Sequence, residues 1–169
     1  MRAQRNIVLI GMPASGKSTV GRLLAERLRR PFVDTDAVLE QRHGMPLAEL
    51  LQACGAAGFV AREEQAVLDL DVQGAVIATG GSVVYGGRAM SALREHGIVV
   101  LIDCPLPVLA RRLGDPAARG MVIAPGQTLE ELLQERLPLY RRYADITVGC
   151  DAEPEAVVEE VIEALRESG

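Results

Sequence analysis

The sequence predicts an α/β fold, a three-layer sandwich in which helices cover both faces of a five-stranded parallel sheet. Three observations lead there. Short, apolar, β-branched runs alternate with longer amphipathic segments along the whole chain, hairpin signals between consecutive runs are few, and a glycine-containing loop joins the first run to the first amphipathic segment. Strands separated by helices need crossover connections, which are right-handed and lay the strands parallel. At 169 residues and 49% apolar content, the chain is expected to form a single domain, residues 1–169, around one core.

Taken in order, residues 6–10 (NIVLI) read as a buried first strand. Residues 20–28 (VGRLLAERL) read as a helix with Val20, Leu23, Leu24 and Leu28 along one side. RPFVDTD brings a second strand near residues 31–34, and AVLEQRHG a short helix ending at Gly44. Residues 46–71 carry a helical pattern interrupted near Gly55 to Gly58. AVIAT (75–79), GIVVLID (97–103) and DITVG (145–149) have the length and β-branched content of buried parallel strands. Helices are expected near 87–96, 105–113, 128–143 and 154–167. The stretch 114–127, GDPAARGMVIAPGQ, keeps no period, and its length is that of a lid or binding loop. DVQG at 71–74 imitates a D-x-x-G switch motif but follows a helical stretch and reads as a helix end.

Charge and composition narrow the partners. A net charge of −5 and a pI near 5.1, with acids and bases interleaved, lack the basic stripe of a nucleic-acid binder. No run approaches the roughly 18 apolar residues of a membrane span. The apolar run after Arg2 and Arg5 is too short for a secretory core and leads to no small-residue cleavage site. Cys54, Cys104 and Cys150 stand far apart without a C-x-x-C and are expected to be inert, partly buried thiols in a reducing compartment. The expectation is a cytoplasmic protein, monomer or weak oligomer, with a small-molecule partner and no nucleic acid or membrane.

Residues 11–19, GMPASGKST, fit G-x-x-x-x-G-K-[ST], with Lys17 the one lysine among 18 basic residues. Strand, loop and helix follow in the order the phosphate cradle needs. Gly11 and Gly16 let the backbone curl so that N–H groups point inward, at a helix N-terminus that favours an anion. The stretch Gly11, Met12, Pro13, Ala14, Ser15, Gly16, Lys17, Ser18 and Thr19 is therefore assigned to a nucleoside triphosphate, with Lys17 on the β- and γ-phosphates and Ser18 on Mg²⁺. A broad, planar guanidinium would not replace that compact ammonium. With no second lysine there is no guanine-selecting N-K-x-D, and the large motor and transporter ATPases need more chain. A small phosphotransferase is left.

On the acceptor side, FVDTD places Asp34 and Asp36 at the end of the second strand. If the strand runs through both they share a face; if it ends at Asp34, Asp36 opens the next helix. Either way both lie at the carboxyl edge of the sheet, where one acid can hold the Mg²⁺ shell and the other accept a hydroxyl proton. TGGS at 79–82 follows the third strand, and its glycines admit a ligand close to the backbone.

The succession GMPASGKST, DTD, Phe59 to Glu63, TGGS, Arg119 in the long loop, and ERLPLY before YADITV resembles the shikimate kinase family, within the nucleoside-monophosphate-kinase-like P-loop folds, over nearly the whole chain. That resemblance implies ATP- and Mg²⁺-dependent phosphorylation of the 3-hydroxyl of shikimate beneath a closing lid. It makes Asp34 the Mg²⁺-associated acid and Asp36 the acid that binds the substrate hydroxyls, catalytic together with Lys17 and Arg119. Gly80 and Gly81 would border the substrate, Arg119 reach the phosphates from the lid, and Arg136 pair with the shikimate carboxylate. Taken alone, an arginine on a helix surface is more often solvated, so that last role rests on the resemblance.

Three positions depart from the family pattern. Its F-R-x-x-E reads FVARE here, with Val60 at the arginine position and Arg62 two residues on, rotated by about 200° on a helix. Arg62 is carried as a candidate for the substrate carboxylate. The third glycine of the family's triplet is Ser82, and RGMV stands where the family has R-P-L-L. Val60 motivates an alternative, a related kinase with a different hydroxylated acceptor; a nucleotide-binding regulatory module without turnover is a third reading.

Overall fold

The computed structural model describes residues 4–114 and 120–169. Its five strands are β1 (Asn6–Ile10), β2 (Phe32–Asp34), β3 (Val76–Ala78), β4 (Gly97–Asp103) and β5 (Ile146–Gly149). They form one parallel sheet in the order β2-β3-β1-β4-β5. The helices are α1 (Lys17–Leu28), α2 (Thr35–His43), α3 (Leu47–Leu68), α4 (Gly87–His96), α5 (Leu106–Leu113), α6 (Leu129–Tyr143) and α7 (Pro154–Glu167), with a 3-10 turn at Val83–Tyr85. The elements fall where the apolar periods place them. DVQG is not part of a helix: α3 ends at Leu68, and the motif lies in the connection to β3.

Burial follows position in the sheet. Central β1 is buried at all five residues, with Ile7 beside Val76 on one side and Ile98 on the other. Edge strand β5 alternates instead, burying Ile146 and Val148 and exposing Thr147 and Gly149. Asn6 joins the start of β1 to the entry of β3: its Oδ1 accepts from Ala75 N–H at 2.9 Å and its Nδ2 donates to Val72 O at 3.1 Å. Asp145 does the same for β5, accepting from Val99 N–H at 2.9 Å.

Two local features position the site. Gly55, at φ 69° and ψ 174°, breaks α3, as the interrupted pattern predicts. Beyond the break, Phe59, Glu63, Ala66 and Val67 fall at i, i+4, i+7 and i+8 and form the buried face, so a glutamate occupies an otherwise apolar stripe. Past the end of β3, Thr79 continues the alignment with β1, its N–H and hydroxyl both donating to Leu9 O, at 3.2 and 2.8 Å. TGGS therefore lies beside the phosphate loop.

The cysteine expectation fails for two of the three. Cys104 and Cys150 are joined as a disulfide, with Cα atoms 5.2 Å apart. The cause is topological: β4 and β5 pair with Asp103 opposite Gly149, so the next residue of each strand meets its counterpart. A separation of 46 residues hides that meeting in the sequence. Cys54 is a free, half-buried thiol.

Candidate active site

A cleft of about 540 Å³ opens along the carboxyl edge of the sheet, within the range of small-molecule sites. At one end the backbone wraps through Gly11 (φ 148°), Ala14 (φ 65°) and Gly16 (φ 96°) before α1 begins at Lys17. A Cβ on Gly11 would lie 2.6 Å from Ile102 O, so no larger residue fits there. The amino end of α1 has neither a side-chain cap nor an acid in its first turn, which leaves its N–H groups for an anion. Lys17 is buried, and its Nζ donates to Gly11 O and Met12 O at 2.8 Å and to Ser15 Oγ at 3.4 Å. Burial lowers its pKa to about 8, with the nearby Asp36 acting in the opposite direction.

The first acid stands against this loop. Ser18 Oγ donates to Asp34 Oδ2 at 2.9 Å, while Asp34 Oδ1 accepts the N–H groups of Asp36 at 3.0 Å and Ala37 at 3.4 Å. Asp34 is thus the N-cap of α2, and Asp36 sits in the first turn of that helix. Of the two arrangements open from sequence, the strand ends at Asp34. A hydroxyl and a carboxylate 2.9 Å apart are hard oxygen ligands that fit Mg²⁺, beside an ammonium and an uncapped helix end that fit phosphates.

At the other end, Asp36 is half-buried, and burial followed by the charge of Asp34 raises its pKa to about 6. Gly80 and Gly81 form the floor. A Cβ on Gly80 would overlap Glu63 Oε2 and lie 2.7 Å from Asp36 Oδ1, and one on Gly81 would lie 2.7 Å from Pro13 Cδ and 3.0 Å from Arg136 Nη1. Arg136 is not the solvated helix-surface residue its sequence context implies. It is fully buried, because α6 turns Leu132, Arg136 and Tyr140, at i, i+4 and i+8, towards the core. Its Nη2 donates to Val122 O at 2.5 Å and its Nε to Tyr85 Oη at 3.3 Å, with the guanidinium 5.2 Å from the Tyr85 ring centre. Tyr140 donates to Gly81 O at 2.5 Å, and burial raises its phenol pKa.

Not every predicted residue joins the cleft. Arg62 is exposed and its Nη1 donates back to Gly58 O at 3.2 Å. One position from inward-facing Glu63 is about 100° of helix rotation, which carries Arg62 away from the acceptor end. Val60 is half-buried and does not line the cleft. Arg119 lies outside the described residues, as do 115–118 of the expected lid; Gly120, Met121 and Val122, within the same stretch, line the cleft.

Several lining residues escaped the sequence reading, among them Glu63, Ser82 and Arg112. Glu63 is buried, with its Oε1 accepting the Ser82 hydroxyl at 2.7 Å; its place one helical turn after Phe59 in an apolar stripe was the available signal. Ser82 is buried with it and stood out only as a departure from a glycine. Arg112 lines the cleft from α5 and donates to Cys150 O at 3.0 Å, and nothing local in the sequence separates it from Arg111.

Comparison with known proteins agrees with this fold. The family model described as shikimate kinase matches residues 13–166. The chain is 37% identical to the shikimate kinase of Vibrio cholerae, over 99% of this chain and 98% of that protein. Among solved structures, the shikimate kinase from Acinetobacter baumannii in complex with shikimate superposes with a TM-score of 0.90 at 30% identity, covering 98% of this chain and 94% of that one. The Aquifex aeolicus shikimate kinase gives 0.84 at 34% identity, covering 96% and 97%.

Proposed function

The chain belongs to the shikimate kinase family, and from that premise we propose that it transfers the γ-phosphoryl group of ATP to the 3-hydroxyl of shikimate. One observation carries the reading: a single cleft holds a phosphate cradle at one end and a fully buried arginine at the other, with Asp36 between. Such a cleft suits a donor rich in phosphate and an acceptor that has both a hydroxyl and a carboxylate.

The residues divide the work. Gly11 to Thr19 wrap the triphosphate, and Lys17 exchanges the carbonyls of Gly11 and Met12 for phosphate oxygens as they arrive. Ser18 and Asp34 would hold Mg²⁺, which supplies positive charge against the phosphate oxygens. Asp36, with its pKa raised to about 6, is poised to accept the proton of the attacking hydroxyl near neutral pH. Arg136 offers a two-pronged fork to the acceptor carboxylate, and Gly80 and Gly81 let the acceptor ring lie against backbone. Arg119, on the lid of residues 114–127, closes over the phosphates. Residues 1–169 act as one domain, a monomer or weak oligomer in the cytoplasm with a small-molecule partner and no nucleic acid. No single helix among the described residues is long and apolar enough to cross a membrane.

The test is the identity of the product. With ATP, Mg²⁺ and shikimate, the phosphorus of the new ester should couple by NMR to the proton on carbon 3; a phosphate on another hydroxyl, or none, contradicts the proposal. Val60 favours a second reading, a kinase of the same design for another hydroxylated acid, in which case shikimate is left unphosphorylated while that acid is consumed.

A further inference from the structure

Glu63 stands where a charge is hard to keep. It is 3% exposed, its Oε1 has the Ser82 hydroxyl, and its Oε2 has no hydrogen-bond partner among the described residues. No ion pair reaches it among those residues. Oε2 presses on Gly80, on the wall where the acceptor is proposed to lie. The groups facing Glu63 are Lys17 at the start of α1, Asp36 on α2, and Arg136 and Tyr140 on α6. Of these only Lys17 and Arg136 are basic, and they sit at the donor end and on the acceptor carboxylate in the proposed complex.

A buried carboxyl with one neutral donor and one bare oxygen is driven towards its protonated form. Burial raises the Glu63 pKa to about 7, against the lowering effect of Ser82. An acceptor carboxylate seated on Arg136 adds a further negative charge nearby and pushes in the same direction. Because Oε1 accepts from Ser82, the oxygen left to carry the proton is Oε2, which is buried against Gly80 on the edge of the cleft.

We propose that Ser82 is a positioning residue: by donating to Glu63 Oε1 it turns Oε2 and its proton towards the acceptor, so that an anionic acceptor binds together with one proton taken up by Glu63. The proton comes from solvent and leaves when the acceptor leaves, and no bond to carbon or phosphorus changes. This rests on the shikimate reading above.

Calorimetric titration of shikimate into the whole protein, from about pH 6 to 9 in pairs of buffers with different ionisation heats, counts the protons taken up. The wild-type protein should take up a fraction of a proton around neutral pH, and Glu63→Gln should lose that uptake. Ser82→Ala and Ser82→Gly remove the donor that favours ionised Glu63. They should move the midpoint up by about half to one pH unit and raise KM for shikimate about fivefold, with a smaller change in kcat. Binding with buffer-independent heat, uptake that survives Glu63→Gln, or an unchanged midpoint in both Ser82 variants overturns the proton-coupled role alone. If wild-type protein neither binds nor phosphorylates shikimate, the shikimate reading falls, and this proposal with it.

Discussion

The donor end of the cleft is made largely of one loop's backbone, whereas the acceptor end is made of buried side chains from several elements. Gly11 to Thr19 are contiguous, and Lys17 already has three oxygens around its ammonium. Asp36, Glu63, Ser82 and Arg136 come from α2, α3, the turn after β3, and α6. A contiguous loop can be correct before the domain is packed; the acceptor end exists only once the helices have docked. Changes at the donor end and at Asp36 should therefore fall on chemistry, and changes at Glu63, Ser82 and Arg136 on affinity and stability.

Lys17→Ala gives the largest separation. Its fold and shikimate binding should persist while kcat drops by about a thousandfold, since a preorganised cation on the transferring group is lost. Single-turnover kinetics beside calorimetry would check this, and a kcat near wild type would remove the distinction between the ends.

Glu63→Gln should show what the acceptor end costs in stability. The ordinary glutamate value is 4.5, and the folded protein holds Glu63 at about 7. Below the ordinary value both folded and unfolded chains keep the proton, and the group imposes no penalty. As the pH rises towards 7 the unfolded chain ionises first, so stability falls, by roughly 3 kcal/mol once both states are ionised. Denaturant unfolding near pH 4 and near pH 8 should show that loss in the wild-type protein and a loss smaller by about that amount in the variant. Equal losses would mean that Glu63 is solvated after all.

Arg136→Lys keeps the charge but removes the fork. KM for shikimate should rise about ten- to a hundredfold with KM for ATP unchanged. Arg62→Ala should change neither, because Arg62 points to its own helix; a shikimate KM that rises with Arg62→Ala would relocate the carboxylate site.

The same contrast explains what the sequence made legible. Five strands and their helices could be read because each obeys its own local period, and the phosphate loop because its nine residues are adjacent. The acids of DTD were legible as a pair, though only packing decided that Asp34 caps α2 and Asp36 lies inside it. Arg136 needed a fact no local window contains, that α6 turns its i, i+4, i+8 row inward. Glu63 and Ser82 lie 19 residues apart and meet only when α3 packs beneath the end of β3. The Cys104–Cys150 disulfide was missed for the same reason, since strand adjacency, and not spacing, brings the two together.

The central claim is that this cleft was built for an acceptor with both a hydroxyl and a carboxylate. ADP release, measured with shikimate beside other hydroxylated acids, neutral sugars and nucleoside monophosphates at equal concentration, tests it most directly. Turnover is expected with shikimate at micromolar to low-millimolar concentration, and little with the rest. Strong ADP release with a neutral sugar or a nucleoside monophosphate, and none with shikimate, would contradict it.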